Sequence, residues 1–120
     1  MNTYLMIAKL KPEDVDKYRM MHKTCHTTEY RDQLDAIKNS GCKQMLTFLW
    51  KDYSLLYAEC EGTIEEFFEA LGETDANKKW SSVTGPWFAD KDDPEHRDFI
   101  PPLEKIFDLQ QQLKGELKPY

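Results

Sequence analysis

Two segments of this chain are apolar on both faces when read as strands. Residues 3–10 (TYLMIAKL) put Leu5 and Ile7 on one side and Tyr4, Met6, Ala8 and Leu10 on the other. Residues 43–51 (KQMLTFLWK) put Met45 and Leu49 on one side and Leu46, Phe48 and Trp50 on the other. Successive side chains point to opposite faces of a strand, so a sheet with one wet face alternates apolar with polar. These segments do not alternate, and a sheet built from them must be covered twice. Helices of the same chain can cover one face. Monomers seldom leave a large apolar patch open, so the other face is expected to meet a second copy across a two-fold axis.

The rest of the chain supplies the helices and further strands. Lys11-Pro12-Glu13-Asp14 reads as a helix start, because proline suits the first turn and acids suit the positive end of the helix dipole. Val15, Tyr18, His22 and Cys25 follow at helical spacing as one inward stripe. Thr27-Thr28-Glu29 interrupts that helix, and Tyr30, Leu34 and Ile37 give a second stripe that Gly41 ends. Asp52-Tyr53-Ser54 reads as a turn and Leu55 to Glu61 as a strand, so 43–61 is a hairpin. Thr63 and Glu66 form a capping box ahead of Phe67, Phe68 and Leu71, and Thr74 caps a short helix carrying Trp80. Residues 85–102 read as a loop or flap, and 103–109 (LEKIFDL) as a fourth strand. The order matches the β-α-β-β-α-β pattern. An α+β protomer with an antiparallel four-stranded sheet is the expected fold.

The 120 residues suit a single domain, 1–120, with a core over about 3–109 and a C-terminal tail over 110–120. A formal net charge of −6 with scattered Lys and Arg argues against nucleic acid and anionic membrane surfaces as partners. The cysteines, Cys25, Cys42 and Cys60, are odd in number and widely spread, with no C-x-x-C. A disulfide framework is not expected, and a cytoplasmic setting fits. No signal peptide is visible, and no apolar stretch approaches the roughly 20 residues of a membrane-spanning helix.

Tyr18 and His22 stand four residues apart on the first helix, so a phenol and an imidazole share one face. Imidazole exchanges protons near neutral pH in both directions. A histidine on an inward stripe is also commonly a hydrogen-bonded core residue. Tyr18 could fill core with a polar tip, and Trp80 could either stack on the apolar face of a ligand or fill core. His22 and His26 form H-x-x-x-H beside Cys25, but Lys23 stands where a metalloprotease carries glutamate. The acidic run 90–98 (DKDDPEHRD) misses the spacing of a calcium loop. No metal site is expected. Cys25 and His26 are adjacent, and adjacent helical residues face apart, which argues against a thiol nucleophile.

Several segments together resemble the L-rhamnose mutarotase family. They are the opening strand, Tyr18-x-x-x-His22, Ser40-Gly41-Cys42, Leu55-Leu56-Tyr57-Ala58, Asn77-Lys78-Lys79-Trp80 and Pro102-Leu103-Glu104-Lys105-Ile106-Phe107, spanning roughly 4–109. The resemblance implies a ferredoxin-like protomer in a dimeric α/β barrel that interconverts the α and β anomers of a sugar. A 6-deoxy sugar such as L-rhamnose or L-fucose would be the monosaccharide substrate. It also implies His22 as the catalytic proton donor, with Tyr18 and Trp80 as substrate-binding residues. The chain departs from the family pattern in four places. Cys25-His26-Thr27-Thr28-Glu29 replaces a Trp-Pro-Glu type run, Met45 stands where a sugar-contacting tyrosine is usual, and Ser81 stands where a second tryptophan is usual. The tail also runs past the usual end.

Mutarotation needs one proton delivered to the ring oxygen and one removed from the anomeric hydroxyl. One or two positioned acid–base groups commonly give about 10²–10⁴-fold, which is roughly 3–5 kcal/mol. No cofactor is expected. Two rival readings follow from the same residues. Met45 in place of tyrosine would make the pocket more apolar and suit a different cofactor-free enzyme, such as a cyclase, dehydratase or oxygenase. A sugar-binding module without catalysis is the other.

Overall fold

The computed structural model describes residues 1–89 and 102–115. Strand β1 (Asn2–Lys9) leads through a 3-10 turn at Pro12–Asp14 into helix α1 (Val15–Lys23). A second 3-10 turn at Cys25–Thr27 precedes α2 (Asp32–Asn39). Strands β2 (Cys42–Trp50) and β3 (Tyr53–Cys60) form the hairpin, followed by α3 (Ile64–Gly72) and α4 (Asp75–Thr84). A short helix α5 (Leu109–Leu113) closes the described chain.

The sheet is antiparallel in the order β1-β3-β2, with β3 at its centre. The hairpin loop is Lys51-Asp52, since Trp50 pairs with Tyr53. The expected turn at 52–54 therefore lies one to two residues early, and Ser54 belongs to the strand. Lys51 adopts a left-handed φ of 56°, as the tight two-residue hairpin turn requires. Gly41, at φ 105°, makes the turn from α2 into β2, where a side chain would be strained.

Among the described residues the sheet has three strands, not the expected four. The Leu103 backbone N–H donates to the Leu5 carbonyl at 2.7 Å, along the free edge of β1. That is the edge a fourth strand would occupy. Residues 102–108 carry no strand ladder. The segment opens on Pro102, which has no N–H to donate.

The helices cover one face. Met6, Leu56, Ala58, Cys60 and Cys42 from the sheet meet Ala36 of α2 and Ile64, Phe67 and Leu71 of α3. The α2 stripe differs from the expected one: Gln33 and Ala36 are buried, whereas Leu34 is 43% exposed. The helix starts at Asp32 rather than near Thr28, so Tyr30 precedes it and the inward stripe runs through Gln33, Ala36 and Ile37. The Thr63–Glu66 capping box forms as expected, with the Glu66 N–H donating to the Thr63 hydroxyl at 3.1 Å and the Thr63 N–H donating to the Glu66 carboxylate at 3.1 Å. Thr74 caps α4 through its hydroxyl alone, which accepts from the Asn77 N–H at 3.1 Å.

The other face of the sheet is apolar and open in the single chain. Leu5, Leu46, Phe48 and Trp50 are 37%, 42%, 56% and 59% exposed. This is the two-faced apolar sheet that the opening strand and the hairpin imply. No helix among the described residues is long and apolar enough to cross a membrane.

Candidate active site

A second, smaller cluster surrounds the inward face of α1. Ala8, Leu10, Tyr18 and Phe88 are buried together, with Val15, Leu49 and Trp87 packed against them. Phe88 is brought there by backbone pairing. Leu10 and Phe88 form an isolated bridge, the Lys11 N–H donates to the Trp87 carbonyl at 2.8 Å, and the Ala89 N–H donates to the Lys9 carbonyl at 2.9 Å. The end of β1 thus holds the chain after α4 beside Tyr18. The two aromatic rings meet edge to face at 5.8 Å.

Tyr18 reaches down from α1 to the centre of the sheet. Its phenol oxygen lies 2.7 Å from the Ser54 hydroxyl on β3, and both residues are buried. Burial raises the phenol pKa to about 12, against the opposing pull of the Ser54 bond. Tyr18 therefore stays protonated near neutral pH, where its phenol can offer a hydrogen bond but not a free proton.

One turn further along α1, His22 is fixed through one ring nitrogen. Nδ1 lies 2.8 Å from the Tyr18 carbonyl oxygen, which can only accept. Nδ1 consequently carries the proton, and the lone pair of the neutral ring sits on Nε2. The Nε2 atom has no hydrogen-bond partner among the described residues. The ring as a whole is only partly buried. Burial lowers the imidazole pKa, partly offset by the bond to the Tyr18 carbonyl. The ring is thus neutral at pH 7, with its basic nitrogen available.

Aromatic neighbours hold the imidazole on two sides. The Tyr18 and His22 rings are 4.1 Å apart, tilted by 41°. The Trp80 ring stands edge to face against His22 at 5.1 Å and 83°. Trp80 is itself backed by Tyr30, at 5.9 Å and 84°. Tyr30 is kept in place by the loop before α2. Lys79 lies 5.1 Å above its ring and pairs with Glu29 at 3.0 Å. Beneath them Gln33 of α2 donates to the Asn77 side-chain carbonyl of α4 at 2.9 Å. These contacts tie α4 to α2 and set the tryptophan wall against the histidine.

The structure brings the three sequence candidates together: Tyr18, His22 and Trp80 form one contiguous group. Sequence reasoning missed Ser54, Tyr30 and Phe88. Ser54 was the most findable, as the one polar residue in the inward row Ser54, Leu56, Ala58, Cys60. Met45 packs with the first core cluster rather than with Tyr18 and Phe88, and Ser81 is exposed. The expectation that Met45 makes the pocket more apolar therefore has no support. His26 is exposed on the 3-10 turn, and α1 ends at Lys23 between the two histidines. The H-x-x-x-H spacing is therefore not a shared helical face. Cys25 is buried and its thiol donates to the Tyr30 carbonyl at 3.3 Å. His96, the acidic run 90–98 and most of the expected flap lie outside the described residues.

Comparison with known proteins gives a consistent result. The family model described as L-rhamnose mutarotase matches residues 3–109. An L-rhamnose mutarotase of Clostridium beijerinckii is 29% identical over 92 residues, covering 73% of this chain and 83% of that one. Among solved structures, an L-rhamnose mutarotase of Formosa agariphila superposes with a TM-score of 0.63 at 17% identity, covering 90% of this chain and 98% of the other. The tetracenomycin F2 cyclase of Streptomyces glaucescens, a type II polyketide cyclase, gives a TM-score of 0.58 at 15% identity, covering 90% and 96%. The structural likenesses show a common α+β fold, shared by proteins of different chemistry.

Proposed function

The chain belongs to the L-rhamnose mutarotase family, isomerases that interconvert sugar anomers, and we propose that His22 carries the proton transfers of that reaction in this chain. The single observation behind the proposal is the state of the imidazole. Its Nδ1 proton is committed to the Tyr18 carbonyl, while Nε2 keeps its lone pair on a ring that is only partly buried.

The reaction follows from those atoms. Nε2 takes the proton of the anomeric hydroxyl O1. The C1–O1 bond becomes a carbonyl as the C1–O5 bond breaks, and its electron pair goes to O5. The imidazolium returns the proton to O5. O1 and O5 share one carbon, so one nitrogen can serve both. Rotation about C1–C2 presents the opposite carbonyl face, and the reverse sequence closes the other anomer. The Tyr18 carbonyl stabilises the imidazolium while it lasts, because a hydrogen bond from a charged donor is stronger than one from a neutral donor. Such positioned acid–base catalysis supplies about 10²–10⁴-fold, and a reaction that already runs in water needs little more.

Tyr18 and Trp80 line the sugar's place. When its oxygen accepts a hydrogen bond from the Ser54 hydroxyl, the Tyr18 phenol keeps its own O–H to offer to a sugar hydroxyl. The Trp80 face suits the C–H side of a pyranose, and 6-deoxy sugars such as L-rhamnose and L-fucose carry an apolar methyl that favours an aromatic wall. The chemistry requires no cofactor. The open sheet face supports a homodimer, since its exposed Leu46, Phe48 and Trp50 would be covered by a second copy. Three free thiols suit the reducing cytoplasm.

NMR exchange spectroscopy on mixed anomers tests this reading. Added protein is expected to accelerate exchange of L-rhamnose or L-fucose above the buffer rate. Exchange at the buffer rate across a panel of monosaccharides would reject it.

A further inference from the structure

Ser54 stands out on the inward face of β3. Its neighbours in that row, Leu56, Ala58 and Cys60, are apolar, and Ser54 is 0% exposed. It pairs with Ala8 on β1, and Ala8 lies in the cluster around Tyr18. A hydroxyl buried in an apolar row is costly unless bonded, and this one has the Tyr18 phenol at 2.7 Å. The bond is a polar tie between α1 and the central strand, and α1 is the helix whose Tyr18 carbonyl orients His22.

We propose that Ser54 is a positioning residue for anomer exchange: it fixes the rotation of the Tyr18 ring beneath His22 and sets which way the phenol O–H points. The inference rests on the proposed role of His22 and extends it. Two hydroxyls facing each other can share their bond in either direction. With Ser54 donating, Tyr18 keeps a proton to give to a sugar oxygen. With Tyr18 donating, its oxygen accepts from a sugar hydroxyl. A mutarotase has to hold both anomers, which present O1 in different directions. A reversible hydroxyl pair meets both with one side chain. Ser54 itself stays behind Tyr18, away from the sugar.

The test is a double-mutant cycle on the full chain, using Ser54→Ala, Tyr18→Phe and both together, read by NMR anomer exchange. Each single variant removes one of the two oxygens. Loss of one buried partner predicts a fall of kcat by about 5- to 50-fold for Ser54→Ala with a smaller change in KM. The double variant is expected to be no slower than Tyr18→Phe alone, because Ser54 acts through that phenol. Ser54→Thr, which keeps the hydroxyl, should recover part of kcat. A purely structural role would instead lower the melting temperature and leave kcat per folded molecule unchanged. An Ser54→Ala enzyme with wild-type kcat, or multiplicative losses in the double variant, would overturn the inference while leaving the His22 reading intact. A wild-type protein without any exchange activity would overturn both.

Discussion

Phe48→Glu should split the proposed dimer without unfolding the protomer. Phe48 projects from the open sheet face and is 56% exposed in the single chain. An aromatic side chain presents roughly 150–250 Å², so about 100 Å² of Phe48 is available to a partner. At about 25 cal/mol per Å² that is about 2.5 kcal/mol in each copy. A two-fold axis counts the position twice, giving about 5 kcal/mol. Buried area converts to affinity at a discount, because association also costs orientational freedom and side-chain ordering. Halving the figure leaves about 2.5 kcal/mol, or nearly a hundredfold in Kd. A carboxylate forced into an apolar interface works in the same direction, so the hundredfold is a lower figure. Sedimentation across nanomolar to micromolar protein reads the change directly. Leu34→Glu is the control, since Leu34 is 43% exposed on α2, on the helical side of the sheet. It should leave Kd within error of wild type. A wild-type chain that sediments as a monomer at tens of micromolar would refute the argument. So would a Phe48→Glu variant that dimerises like wild type.

Three further outcomes follow from the site. Burial holds the His22 pKa below its ordinary 6.5. In the proposed reaction neutral imidazole is the base, so kcat/KM should stay level through neutral pH and fall on the acid side, with a midpoint below 6.5. Stability has the same sign. The unfolded chain protonates His22 first, so this residue's contribution is full above 6.5 and fades as pH drops toward the folded value. A rate profile with its acid midpoint above 6.5 would contradict that burial. Trp80→Ala removes the wall beside the imidazole and should raise KM for a 6-deoxy sugar by about tenfold, the value of a lost aromatic contact of roughly 1.5 kcal/mol. Initial-rate NMR over a range of sugar concentrations separates that from a change in kcat, and an unchanged KM would remove Trp80 from the binding surface.

The sequence made the local elements readable because their signals are local. Thr63 and Glu66 announce a helix start, and Gly41 ends one. The apolar pattern of 3–10 and 43–51 declares both the strands and their second, uncovered face. The Tyr18-x-x-x-His22 spacing needs only the geometry of a helix. What was not readable depends on pairing across the chain. Ser54 looked like a turn residue because nothing local shows that Trp50 pairs with Tyr53. Tyr30 looked like part of a helix stripe, yet α2 begins at Asp32 and leaves Tyr30 free to back Trp80. The segment 103–109 has the composition of a strand, but one backbone bond to Leu5 is all the pairing it shows among the described residues. Met45 looked like a pocket residue by its place in the family pattern, and its neighbours are instead the core of α2 and α3.

The most direct measurement compares anomer exchange for wild type and His22→Gln by NMR at matched folded concentration. Glutamine is near in size and can still donate to the Tyr18 carbonyl, but it cannot take up a proton at neutral pH. The account predicts that exchange drops by about 10²-fold or more, while binding of the sugar changes little. Exchange by His22→Gln at the wild-type rate would mean that the imidazole is a packing residue and that the proton travels by another group.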